Sequence, residues 1–196
     1  SRRVMDGIEA SYVPLTNEEV QRARRAYLAN VSYFDSKVGK IVATIEQMGE
    51  LDNTILIVTA DHGDMLGERG LWYKMNFFEH SARVPMVMAG PGIANREVPN
   101  ACSLVDILPT MLDIAAMDGA AKPVMGQPVD GRSLLELAAG GGDNTSEAIG
   151  EYCAEMTSHP VFMIRRNRFK YIHCDRDPAQ LYDLEADPAE LNNLAG

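Results

Sequence analysis

The run Thr54-Ile55-Leu56-Ile57-Val58-Thr59 constrains this chain more than any other stretch. It carries no charge and is rich in β-branched side chains, the pattern of a strand covered on both faces within a mainly parallel sheet. It stops abruptly at Ala60-Asp61-His62-Gly63-Asp64, where charge and glycine arrive together. Ligands of α/β sheets gather beyond the carboxyl ends of strands, so chemistry is to be sought first at this junction. A second buried run, Val84 to Ala89, ends at Gly90-Pro91-Gly92. The loop between the two, about twenty residues, is of a length that tends to be functional in a compact domain.

The flanking segments complete an α/β pattern. Thr16 and Glu19 make a capping-box pair, and Val20, Tyr27, Val31, Phe34, Val38, Ile41, Val42 and Ile45 follow at helical spacing. This predicts one long helix from about Asn17 to Met48, stopped by Gly49. Its basic cluster, Arg22, Arg24 and Arg25, is either a solvated face or a domain contact. Ser103 caps a further helix through about Ala116, with Pro109 kinking it or marking its first turn. Gly119 to Thr145 is rich in Gly, Pro and Ala and reads as a loop or boundary. Ala148 to Glu155, Val161 to Arg165 and Phe169 to Cys174 are short strands with turns between them, which suggests an antiparallel meander. The expected architecture is an α/β/α sandwich with a mainly parallel sheet over residues 1–145 and a small antiparallel subdomain over 146–196.

A net charge of −10 argues against nucleic acid as the partner, because phosphate backbones need basic surface. No apolar run is long enough to span a membrane. Cys102, Cys153 and Cys174 are odd in number and lack zinc-type spacing, so they read as buried free thiols in a reducing compartment, which points to the cytoplasm. The chain opens with Ser1-Arg2-Arg3 and then reads at once like interior sequence, as a piece of a longer protein does.

Adjacent Asp61 and His62 at a strand end can ligate one divalent ion if the backbone turns sharply, and Gly63 permits such a turn. Carboxylate oxygen with imidazole nitrogen suits manganese or zinc, while oxygen-rich further ligands admit calcium or magnesium. The competing reading is a capped strand end with a hydrogen-bonded histidine. Lys74, on the following loop, can bring its ammonium to an anionic substrate and stabilise charge on a transferring group, or it is simply solvated.

The run from Ala60 through Asp61-His62-Gly63-Asp64-Met65-Leu66-Gly67-Glu68-Arg69-Gly70-Leu71-Trp72-Tyr73 to Lys74 resembles the carboxyl-terminal metal-site segment of sulfatases, in the alkaline phosphatase superfamily. Phe77-Phe78-Glu79, Ser81-Ala82-Arg83-Val84-Pro85, Leu181-Tyr182-Asp183-Leu184 and Asp187-Pro188 extend the likeness over nearly the whole chain. Leu71-Trp72-Tyr73-Lys74-Met75 and Gly150-Glu151-Tyr152-Cys153-Ala154-Glu155 are similar to the choline sulfatase branch.

This resemblance implies an alkaline-phosphatase-like fold and a sulfuric ester hydrolase acting on a small-molecule sulfate ester, choline sulfate foremost. A phosphonate monoester or phosphodiester hydrolase is the alternative, and a non-catalytic assembly module the rival from another class. It implies Asp61 and His62 as metal ligands, with calcium expected ahead of manganese or magnesium. It implies Lys74 as the group contacting sulfate and Glu151 as a carboxylate facing the headgroup, within a homo-oligomeric full-length enzyme. Formylglycine, the family nucleophile, arises from a Cys/Ser-x-Pro-x-Arg motif that these 196 residues do not contain, so the chain alone is expected to be inactive. Asp64 and Glu68 are either orienting groups or solvated carboxylates. Trp72 and Tyr73 are read as packing beneath the loop, or as stacking on a cationic headgroup, and His80 as surface or supporting.

Overall fold

The computed structural model describes residues 15–117, 119–141, 146–154, 157 and 159–196. Ser1-Arg2-Arg3, Glu155 and the last residues before Ser146 in the predicted loop lie outside them. The described residues form two compact units, one running to Pro91 and including those between Tyr152 and Pro160, the other covering Gly92–Glu151 and Val161–Gly196.

The first unit begins with helix α1 (Asn17–Gln47). Thr16 Oγ1 accepts from the Glu19 amide at 3.3 Å, and Glu19 Oε2 accepts from the Thr16 amide at 2.8 Å, so two orphan amides of the first turn are satisfied reciprocally. At the other end Gly49 adopts φ 73°. Its amide donates to Glu46 O, and that of Glu50 to Ile45 O, the paired closure a left-handed residue permits. The helix has no buried residue, and Leu28, Val31, Phe34 and Ile41 stand exposed at helical spacing.

Strand β1 (Leu56–Thr59) pairs antiparallel with β4 (Met86–Ala89), Leu56 opposite Ala89 and Thr59 opposite Met86. This departs from the expected mainly parallel sheet. A continuous apolar run reports that both faces are shielded but carries no information about neighbour direction. Among the described residues β1 has one partner, in a two-stranded sheet, and its residues are half-buried. Between the two strands the chain forms a hairpin, β2 (Met65–Leu66) with β3 (Trp72–Tyr73), then one helical turn, α2 (Glu79–Ala82). Met65 is fully buried and anchors the hairpin.

In the second unit the predicted helix is α3 (Ile107–Ile114), entered through a 3-10 turn at Leu104–Asp106, with Pro109 in its first turn. Buried Asp106 accepts from the amides of Ser103 at 2.8 Å and Arg132 at 2.9 Å. Thr110 Oγ1 accepts from the Leu134 amide at 2.9 Å, which fixes the approach to the short helix α4 (Leu135–Ala139) within the predicted loop. Strands β5 (Glu147–Tyr152), β6 (Val161–Arg166), β7 (Phe169–Cys174) and β8 (Asp177–Asp183) follow in one sheet in that order. Its β6–β7 and β7–β8 pairings are antiparallel. The small antiparallel sheet expected at the carboxyl end is therefore present, with one further strand. In β7, Lys170, Ile172 and Cys174 point inward while Phe169, Tyr171 and His173 point out, the period-2 alternation of a one-sided sheet.

The inward Lys170 forms an ion pair with Glu190, Nζ to Oε1 at 2.5 Å, the two side chains 1% and 2% exposed. Removing one partner of a buried pair leaves an uncompensated charge and costs about 3–5 kcal/mol. Glu190→Ala should therefore destabilise the chain by about that amount in urea denaturation, and a loss within error of zero would mean that the pair is solvated.

Candidate active site

The chain leaves β1 at Thr59 and bends at Asp61. Asp61 Oδ1 accepts from the His62 amide at 3.0 Å, and Asp61 Oδ2 lies 3.3 Å from His62 Nε2. His62 Nδ1 is 2.8 Å from the carbonyl of Gly63. A carbonyl can only accept, so Nδ1 carries a proton, and Nε2 is the ring nitrogen turned to the Asp61 carboxylate. Two electron-pair donors facing each other are held by a shared proton or by a shared cation. Two donors bound to one ion at about 2.0–2.2 Å each stand roughly 3 Å apart, so this geometry fits two ligands of a divalent metal. The Asp61 side chain is 85% exposed and that of His62 34%, leaving an open side. Among the described residues no cluster of three or more His, Cys, Asp or Glu side chains could hold a metal. Asp61 and His62 are two donors set side by side.

Gly63 serves the turn differently from expectation. It does not adopt a positive φ. Its amide donates to Ser81 O at 2.8 Å, and a Cβ there would lie 2.1 Å from the His80 carbonyl oxygen. Glycine is required by close backbone approach.

Lys74 follows β3 directly and is exposed. Met65 pairs with Tyr73, so Lys74 directly follows the last paired residue of a hairpin whose first strand starts three residues after His62. Its neighbours Tyr73 and Met75 both have positive φ, 68° and 76°, a region that L-residues with bulky side chains seldom adopt. The structure thus brings Asp61 and His62 together and joins Lys74 to them through one hairpin. Glu151 is exposed on β5 in the other unit, at the edge of the four-stranded sheet.

Asp64 and Glu68 have partners on α1. Burial raises the Tyr27 pKa above its ordinary value, and the Asp64 carboxylate adds to this, with the phenol hydrogen-bonded to it. Burial pushes the Glu68 carboxyl up, but the backbone amides of Leu66 and Glu68, His80 and Arg24 together outweigh it and hold the group below the usual carboxylate range. Arg24 Nη2 is 2.9 Å from Glu68 Oε1. Arg24 therefore makes a contact within its own unit, and Asp64 and Glu68 are not simply solvated. Tyr27 and Ser81 were not legible as site residues, because the first reads as core at helical spacing and the second contributes through its carbonyl. Trp72 is half-buried against Gly67, whereas Tyr73 is exposed. The Cys102 thiol is raised by burial and by Asp106, with Arg132 and Arg165 opposing, which makes it a poor nucleophile. No helix among the described residues is long and apolar enough to cross a membrane.

Comparison with known proteins gives the family. The sulfatase profile matches residues 6–117, and that of the N-sulphoglucosamine sulphohydrolase carboxyl-terminal region matches residues 67–196. Choline-sulfatase of Rhizobium meliloti (strain 1021) is 46% identical over 195 residues, covering 100% of this chain and 37% of that protein. Phosphonate monoester hydrolase of Agrobacterium radiobacter superposes with TM-score 0.79 at 29% identity, covering 93% of this chain and 39% of that one. BT4656, in complex with its substrate D-glucosamine-2-N,6-O-disulfate, superposes with TM-score 0.75 at 30% identity, covering 100% of this chain and 41% of that one. The chain belongs to the sulfatase family. It spans little more than a third of the length of the choline-sulfatase it matches.

The approach at Gly63 is directly testable. Gly63→Ala should displace the His80 backbone and destabilise the chain by about 1–3 kcal/mol, the usual range for overpacking. A variant as stable as the parent in thermal unfolding would refute the close contact.

Proposed function

We propose that this chain carries part of the active site of a sulfuric ester hydrolase, and that the complete protein converts choline sulfate to choline and sulfate. The observation that carries the reading is the Asp61–His62 donor pair beyond β1, tied to Lys74 by one hairpin. The 46% identity to choline-sulfatase supports the substrate. Asp61 and His62 hold the divalent cation, calcium foremost, with manganese or magnesium as alternatives. Held by these two donors, such a cation would supply Lewis-acid polarisation of a sulfate oxygen. Lys74 sets its ammonium against the sulfuryl oxygens and stabilises the charge that grows on them. Glu151 faces the quaternary ammonium of choline, which offers no hydrogen bond and must be met by a carboxylate or aromatic face.

The formylglycine nucleophile comes from sequence outside these 196 residues, and the chain by itself is inert. Residues 1–145 belong to an α/β/α sandwich whose parallel strands lie in that other part, and 146–196 form the small subdomain. That β1 has one partner among the described residues and that α1 exposes an apolar stripe support this, since an amphipathic helix buries its apolar face against another layer. The free cysteines suit a cytoplasmic setting, and we expect the complete enzyme to be a homo-oligomer. A second reading, a phosphonate monoester or phosphodiester hydrolase, draws on the likeness to the Agrobacterium enzyme.

The test is turnover by the complete protein on choline sulfate, an uncharged aryl sulfate and a phenylphosphonate monoester. Lys74→Ala should lower kcat about a hundred- to a thousandfold while the metal content holds, and His62→Ala should lose the metal. Glu151→Gln should lose efficiency mainly on the cationic ester. Preference for the phosphonate would favour the second reading, and no turnover on any ester would favour a non-catalytic assembly module.

A further inference from the structure

The hairpin that carries Lys74 is fastened to α1 by a closed set of contacts. Arg24 Nε donates to Leu66 O at 3.0 Å, and Arg24 Nη2 to Glu68 Oε1 at 2.9 Å. The other oxygen of the same carboxylate, Glu68 Oε2, accepts from the Leu66 amide at 2.6 Å. Guanidinium and carboxylate together therefore take both backbone polar groups of Leu66, the last residue of β2. One helical turn along α1 from Arg24, Tyr27 bonds Asp64, the residue just before β2. One turn back, Val20 packs on Gly67, where an added Cβ would lie 3.5 Å from Val20 Cγ1 and 3.3 Å from the Trp72 indole. On the far side of the turn, the Arg69 guanidinium lies 4.3 Å from the centre of the Phe78 ring.

We infer that Arg24 and Glu68 are positioning residues: they fix the β2–β3 hairpin on α1 and so fix where Lys74 is presented relative to Asp61 and His62. The charge-assisted, two-point geometry is what gives such a pair orientation as well as attraction. The hairpin has only two pairs of its own, Met65 with Tyr73 and Leu66 with Trp72, and two-stranded ribbons of that length do not hold their shape unaided. Lys74 lies one residue beyond the second strand, so any rocking of the hairpin moves its ammonium. A lysine acting on charge that develops in the transition state loses kcat when it is misplaced, while substrate binding through other groups is kept.

This inference has a structural arm, independent of the activity, and a kinetic arm that rests on the proposed hydrolase. Trp72 is the only tryptophan of the chain and stands within the clamp. In this 196-residue chain, Arg24→Met and Glu68→Gln should each shift Trp72 emission to the red and raise its quenching by acrylamide, with helical circular dichroism kept. The double variant should go no further than the stronger single one, because both remove one device. Arg24→Lys should fail to restore the parent spectrum, since an ammonium lacks the planar two-point fork of the guanidinium. Emission and quenching unchanged in both single variants would overturn the inference. Should Arg24→Met lose its helical signal, Glu68→Gln, which keeps the residue's shape, decides the matter by the same readout.

In the complete protein the same substitutions should lower kcat roughly ten- to a hundredfold, as remote misplacement does, with KM and metal content unchanged. A raised KM or lost metal with kcat preserved would also overturn it. A parent protein that hydrolyses no ester would instead refute the proposed function, and the fluorescence result would stand by itself.

Discussion

The amide of Gly63 donating to the carbonyl of Ser81 is the contact on which the rest of the site depends. It draws the strand end onto the turn at Glu79–Ala82 so closely that no side chain fits between. The bend at Asp61 then has only one way to go, and the imidazole of His62 folds back with its Nε2 toward the carboxylate of Asp61. From the same point the chain enters Met65, which is fully buried and sets the start of the hairpin. That one backbone approach thus sets the donor pair and the point from which the hairpin leaves, and the Arg24–Glu68 contact then holds the hairpin.

Much of this was legible in the residues. The capping box at Thr16 and Glu19 and the stop at Gly49 bounded the long helix to within a residue, because both signals act through local hydrogen bonding. The family was legible because the run from Ala60 to Lys74 is long and specific. Strand direction was not. The apolar content of Ile55 to Val58 reflects shielding, and shielding is blind to whether the neighbour runs parallel or antiparallel. Strand β8 escaped because Asp177-Pro178 reads as a turn, yet proline is tolerated at the start of an edge strand, which β8 is.

The long-range contacts of α1 were the least legible. Nothing in the spacing of Arg22, Arg24 and Arg25 singles out the middle one, since its role depends on a carboxylate 44 residues away. Likewise Lys170 and Glu190 give no local sign that they meet in the interior. Such pairs are fixed by tertiary structure, and a single sequence holds no record of the partner. The two observations also differ in kind. The buried pair stabilises a fold, whereas the partly exposed Arg24–Glu68 pair adds little stability by itself and acts by orientation.

Tyr73 and Met75, on either side of Lys74, both sit in left-handed backbone. Backbone of this kind costs about 1–3 kcal/mol per residue and persists only where its surroundings over-determine it. The tension at this loop works against the fold and in favour of a fixed lysine. Selection for stability alone would replace these residues with glycine, which relaxes the bend and frees the chain to wander. An engineer seeking a hardier protein would therefore find the easiest gains at two positions where any gain is drawn from the aim of the neighbouring ammonium.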